Sequence, residues 1–334
     1  MTANRNFKRQ VRARAAKTGE SYTAALRHLL RTTPQGEPMP RNTLMRLSVA
    51  QLAVQPDPGD TAALRDCGDR IRHLMRAAHE AGARLLHLPE DALSCPNKRI
   101  MSATGPEQVG PADWDRADWA TLADELEAIA NLAGELRLWT VLGSIHPLTA
   151  PRRPHLSLYV ISDNGTVATR YDERMLSKTK VSYMYTPGSA PVTFTVDGVR
   201  FGCAMGMEAT FPEVFMEYER LDVDCVLFST HGPGTPTNNG PFALQARALA
   251  AANSYWVSYA TTAQDAPNAS SGVVTPDGEW LTRCPPDPVA AIATADLDLT
   301  TENYARPWRR TARSGLYLRY QAPDDPLSHN RTHP

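Results

Sequence analysis

From Leu44 onward the apolar positions fall into two alternating rhythms. "LMRLSVAQLAV" predicts a strand with a buried run. In "DTAALRDCGDRIRHLMRAAHEAGA", Leu64, Cys67, Ile71, Leu74 and Ala78 recur at helical spacing, which predicts an amphipathic helix. "RLLHLPE" predicts a short buried strand, "WATLADELEAIANLAGELRL" a second helix and "WTVLGSI" another strand. "LSLYVIS" and "TVATRYD" flank Asp163-Asn164-Gly165, and "PVTFTVDGVRFGCAMG" turns at Asp197-Gly198, so both read as hairpins. The strand "VDCVLFST", the helix "FALQARALAAANS" and the strand "YWVSYAT" follow, and "SSGVVTPDGEWLTR" closes as a hairpin around Pro276-Asp277-Gly278. Strands alternating with helices, with hairpins between, predict a layered α/β protein.

The residues before Leu44 follow another pattern. Residues 1–33 read as two short helices broken at Gly19, with Ser21 as the second N-cap. "AKTGESYTAALRHLL" resembles the helix-turn-helix half of ribbon-helix-helix antitoxins. Arg5, Lys8, Arg9, Arg12, Arg14, Lys17, Arg27 and Arg31 stand against Glu20 alone, so this arm carries +7 in a chain whose net charge is −1. A basic arm of this kind can contact nucleic acid or another acidic partner, or serve as a helical appendage. Residues 34–43, with Pro34, Pro38 and Pro40, read as a linker, since repeated proline denies backbone donors to helix and sheet. Residues 313–334 form a polar tail.

Composition narrows the picture. With 42% hydrophobic and 21% charged residues in 334, the chain fits a folded globular protein. No apolar run reaches the roughly 18 residues of a membrane span, and no apolar segment follows the basic start, so the expectation is a cytoplasmic protein. The five cysteines, Cys67, Cys95, Cys203, Cys225 and Cys284, have no zinc-type spacing, so the expectation is reduced thiols, no metal and no cofactor.

Eight segments in order resemble the nitrilase, or carbon–nitrogen hydrolase, superfamily: "RLSVAQLAV", "GARLLHLPED", "WTVLGSI", "LSLYVISDNG", "RYDERML", "GCAMGMEATFPE", "QARALAAANSYWV" and "SSGVVTPDGE". The resemblance spans residues 44–312. It implies a four-layer α-β-β-α sandwich that assembles as a homodimer or larger homo-oligomer. It also implies a pocket for a small-molecule ligand, usually worked by a Glu, a Lys and a Cys. The cysteine forms a thioester, the glutamate moves protons and the lysine stabilises the oxyanion.

Glu90 matches the family glutamate. The lysine motif, Tyr-x-Lys-x-x-Leu, reads here Tyr171-Asp172-Glu173-Arg174-Met175-Leu176, placing Glu173 where the lysine stands. Lys178 and Lys180 follow; either could swing back from a loop, as in a standard hydrolase that recruits one of them and another nucleophile, but both are read as solvated. At the cysteine position stands Gly206, followed by Met207-Glu208-Ala209-Thr210-Phe211-Pro212-Glu213. Cys203 lies on the opposite strand face and is read as core. The expectation is a carboxylate-rich pocket of Glu90, Glu173 and Glu208, with no lysine between the acids. Gly206, Met207, His231 and Tyr183 complete its ligand wall. Such a pocket suits an amide, amine or amidine, acted on by acid/base chemistry rather than through a thioester. The alternative is a non-catalytic ligand-binding or regulatory subunit.

Overall fold

The computed structural model describes residues 44–231, 240–300 and 305–329. The basic arm, the linker and the end of the tail lie outside the described residues.

Two mixed six-stranded sheets form the centre. In the first, β1 (Leu44–Gln51), β2 (Leu85–His87) and β3 (Trp139–His146) run parallel. β4 (His155–Ile161) and β5 (Val167–Asp172) extend it antiparallel as the first predicted hairpin. In the second, β7 (Val199–Met205), β8 (Cys225–Ser229) and β9 (Trp256–Ala260) run parallel. That sheet is flanked by β6 (Thr193–Val196), β10 (Gly272–Val274) and β11 (Trp280–Arg283). β12 (Ala291–Asp298) pairs antiparallel with β1 and closes the first sheet's other edge. The periodicity reading missed β12. Its inward residues include Ala293 and Ala295, and alanine adds little apolar contrast to the exposed Asp296.

Helices cover both outer faces. α1 (Thr61–Glu80) buries Leu64, Cys67, Ile71, Leu74 and Ala78, the residues whose spacing predicted it, and Asp60 caps its first turn. α2 (Trp119–Leu136) packs beside it, held by Arg72 Nη1 donating to the buried Glu125 at 2.6 Å. On the second sheet, α3 (Pro212–Arg220) and α4 (Pro241–Asn253) cover Val226, Phe228, Val257 and Tyr259. The opposite face of that sheet presents Phe201, Cys203, Met205, Cys225 and Leu227 to the first sheet's core. The four-layer α-β-β-α sandwich is therefore present.

Arg306–Arg310 lie in a further helix, Ala305–Thr311, whose arginines pair with carboxylates just past the end of α3. Arg306 reaches Asp224 at 3.2 Å, Arg310 pairs with Asp222, and Arg309 donates to Ser254 Oγ at 2.8 Å.

Polar chemistry also crosses between the sheets. His87, fully buried on β2, bonds Ser258 Oγ at 2.9 Å and Ser229 Oγ at 2.8 Å through its two ring nitrogens. Burial pushes its pKa down to about 3, so the folded protein keeps it neutral. An unfolded histidine takes a proton near pH 6.5. Between those values the unfolded state binds the extra proton, so stability falls as pH falls. Urea melts at pH 7 and pH 5 are expected to show a loss of about 2 kcal/mol from this group. His87→Asn is expected to be less stable at pH 7 but to lose less on acidification. Equal pH slopes in the two proteins would refute the assignment.

Candidate active site

The parallel strands deliver their carboxyl ends to one side of the sandwich, and in such folds ligands gather there. Glu90 follows β2, Gly206 follows β7 and His231 follows β8.

β7 stops at Met205 because Gly206 turns the chain at φ +43° into a short 3-10 turn, Gly206–Thr210. Glu208 fastens this elbow. Its buried carboxylate accepts from the Tyr171 hydroxyl at 2.7 Å, Arg174 N at 2.7 Å and Met205 N at 2.8 Å. Burial pushes this carboxyl up, while the bond from Tyr171 pulls it back. The sequence reading placed Glu208 among the pocket acids. Its oxygens are instead occupied in joining the elbow to the end of β5, a positioning role. Pro212 starts α3 directly behind the elbow.

Glu90 and Glu173 do meet, but not as a bare acid pair. Lys180 Nζ donates to Glu90 Oε1 at 2.7 Å and to Glu173 Oε2 at 2.8 Å. This corrects the expectation of a solvated Lys180 and of acids with no lysine between them. The segment after β5 leaves the sheet and coils into a π-helical turn, Lys180–Met184, which carries the lysine back over Glu173. Seven residues of separation hid that return from the linear motif. Lys178 is exposed, as read.

Burial opposes the Lys180 charge, but Glu173 and Glu90 outweigh it and hold the ammonium protonated well above its ordinary range. Burial pushes the Glu173 carboxyl up against the pull of Lys180. Each acid has a second oxygen, Glu90 Oε2 and Glu173 Oε1, with no hydrogen-bond partner among the described residues. Both converge on the elbow. A Cβ at position 206 would sit 2.9 Å from Glu90 Oε2, 3.2 Å from Glu173 Oε1 and 3.5 Å from Lys180 Nζ. Glycine therefore leaves a gap, too tight for a β-carbon, ringed by one ammonium and two carboxylate oxygens.

That space opens into a cavity of about 600 Å³. Glu90, Lys180, Gly206, Met207 and His231 line it. Tyr183, expected on this wall, is not among the lining residues. The π-helical turn directs it outward, 36% exposed, and gives the wall to Met184 and Tyr185. Cys203 is fully buried in the core, as read, and burial pushes its thiol up.

Asp91, Cys95 and Lys98 are among the cavity residues that escaped the sequence reading. Asp91 directly follows Glu90, the one clue available. Cys95 Sγ donates to Asp91 Oδ2 at 3.2 Å and lies 3.9 Å from His231 Nδ1. Burial and then the Asp91 charge push the Cys95 thiol well up, so it is held as a thiol, not a thiolate nucleophile. Burial lowers Lys98, and the nearby Lys180 charge adds to this.

The arrangement can seat a small polar molecule beside Gly206, offering proton acceptance from two carboxylates and a fixed positive charge. Among the described residues, no helix is long and apolar enough to cross a membrane.

Residues 46–309 match the family model for carbon-nitrogen hydrolase. No curated protein matches the sequence. Solved structures share the fold. A cysteine-to-alanine mutant of an amidase from Nesterenkonia AN1, of the nitrilase superfamily, has TM-score 0.61 and 19% identity over 81% of this chain and 98% of that one. Another mutant of the Nesterenkonia sp. AN1 amidase carries the acetamide moiety of fluoroacetamide on its active-site cysteine. It has TM-score 0.62 and 18% identity over 85% and 100% of the two chains. A third, in complex with butyramide, has TM-score 0.59 and 20% identity over 81% and 98%.

Proposed function

Because the chain belongs to the carbon–nitrogen hydrolase family, we propose that it hydrolyses a small amide or amidine with water, rather than a cysteine, as the attacking group. The observation that carries this reading is the convergence of Glu90 Oε2, Glu173 Oε1 and Lys180 Nζ on the space beside Gly206. A water seated there would give its two protons to the two unpartnered carboxylate oxygens and keep a lone pair facing the cavity.

The step balances simply. The water oxygen attacks the amide carbon, and Glu90 takes the proton released. Negative charge gathers on the former carbonyl oxygen, within reach of the Lys180 ammonium. The carbon–nitrogen bond then breaks as Glu90 returns the proton to the leaving nitrogen. Amide and water become a carboxylic acid and ammonia. Glu173 holds Lys180 from the other side and keeps it charged. Amides are favoured because an amidase sharing this fold binds butyramide, and amidines because an amidinium N–H pair suits two carboxylate oxygens.

The test is ammonia release from a panel of short aliphatic amides and amidines. Glu90→Gln is expected to lower kcat by roughly 10²–10⁴ while the fold, read by circular dichroism, is kept. Turnover untouched by Glu90→Gln would sink the reading. Saturable amidine binding without turnover, weakened by the same substitution, would favour the alternative: a non-catalytic ligand-binding protein.

A further inference from the structure

Beside the Glu90–Lys180–Glu173 cluster, the cavity wall carries a second group of side chains that the water-based reading does not use. Asp91, Cys95 and His231 each present one donor atom, and the three atoms lie within 4.8 Å of one another. They come from two separate segments. Asp91 and Cys95 lie on the loop after β2, and His231 lies just past β8. We propose that these residues form a binding site for one divalent metal ion of the zinc class.

The donor set argues for that class. A sulphur, an imidazole nitrogen and a carboxylate oxygen suit a borderline metal and disfavour calcium or magnesium, which take oxygen ligands. The spacing fits as well. Ligands at zinc bond lengths and tetrahedral angles stand roughly 3.6 Å apart. Cys95 Sγ lies 3.2 Å from Asp91 Oδ2 and 3.9 Å from His231 Nδ1, which brackets that value. The widest separation, 4.8 Å at most, closes by rotation of His231, whose side chain is 38% exposed.

An independent observation points to a ligand. Asp91 is 5% exposed, yet its Oδ1 has no hydrogen-bond partner among the described residues. A buried carboxylate oxygen left unmatched is costly, and a cation is the partner that also offsets the neighbouring Glu90 charge. All three donor residues line the cavity, so a fourth coordination position would face the space where a ligand enters. On binding, the sulphur–metal bond forms as the Cys95 thiol releases its proton to solvent.

The site escapes a sequence search because its ligands are not in one spaced motif. Two stand four residues apart, and the third is 136 residues beyond Cys95.

The experiment uses the full chain, stripped with a chelator and titrated with Co²⁺. The readout is the thiolate-to-cobalt charge-transfer absorption, which needs no enzymatic activity. The expected result is saturation at one Co²⁺ per chain, with the band bleached by Zn²⁺. Cys95→Ser is expected to abolish the band. His231→Ala, at a partly exposed position that does not threaten folding, is expected to weaken Co²⁺ binding more than about tenfold. His73→Ala, on the exposed face of α1, is expected to bind as the wild type does. A titration without the band, a band that persists in Cys95→Ser, or unchanged affinity in His231→Ala would each overturn the proposal.

Discussion

Lys180→Met is expected to lower stability by about 3–5 kcal/mol and to remove amide turnover. The lysine ammonium lies 2.7 Å from Glu90 Oε1 and 2.8 Å from Glu173 Oε2, and both carboxylates are buried. Methionine keeps most of the volume but none of the charge. The two acids would then repel each other in a medium that screens poorly, so one must hold its proton. The sign of the pH dependence follows. In the variant an acid's folded pKa rises above its unfolded value, near 4.3, so stability is retained below that pH and lost as pH climbs through the raised value. The deficit relative to wild type should be larger at pH 8 than at pH 5. Urea melts at both pH values measure it. Lys180→Met combined with Glu173→Gln should recover much of the stability, because the second change removes one of the repelling charges. Turnover should not return, since nothing then faces the developing oxyanion; loss of such a donor typically costs about 10²–10³ in rate. A Lys180→Met protein as stable as wild type at pH 8 would mean that the ammonium does not neutralise this cluster.

The same lysine shows where sequence reasoning stopped. Regular elements were legible because each repeats one geometric relation: α1 writes its buried face every three or four residues, and the hairpins write their turns as Asp-Asn-Gly and Asp-Gly. Family membership was legible through ordered short segments, most of them strand ends and turns that the fold constrains. Glu90 was legible because "GARLLHLPED" resembles the family segment that carries the glutamate, three residues past the buried strand β2. Lys180 was not, because its position depends on a π-helical turn, and such turns have no periodic pattern. The same turn moved Tyr183 off the cavity wall and put Met184 and Tyr185 there. Glu208 was misplaced for another reason. A carboxylate two residues past the elbow can face the cavity or the strand behind it, and the Tyr171 hydroxyl on a different strand decides the matter. Asp91, Cys95 and His231 meet only through the packing of β2 beside its own sheet and β8 in the other, a relation with no local trace.

Gly206→Ala is expected to be the most informative change at the elbow, because it adds a single methyl group at the point where the cluster converges. That carbon would lie 2.9 Å from Glu90 Oε2, closer than carbon and oxygen tolerate, and a tight 3.2 Å from Glu173 Oε1. The backbone there has φ +43°, a left-handed conformation that costs an L-residue roughly 1–2 kcal/mol. The neighbours cannot yield freely, since each acid is held by Lys180 through its other oxygen. Stability should therefore fall by about 2–4 kcal/mol once the crowding of a packed site is added. Amide turnover should fall at least 10²-fold, because the methyl group fills the position where the attacking water would sit, and a misplacement of about 1 Å already costs that much. Gly206→Ser separates the two effects. Its hydroxyl can donate to one unpartnered carboxylate oxygen and so should restore part of the stability. It still fills the space and should stay inactive. Melting temperature and ammonia release, measured on both variants, read the two effects independently. Full turnover in Gly206→Ala would show that the reaction does not pass through the space beside this glycine, and the water-based reading would fall with it.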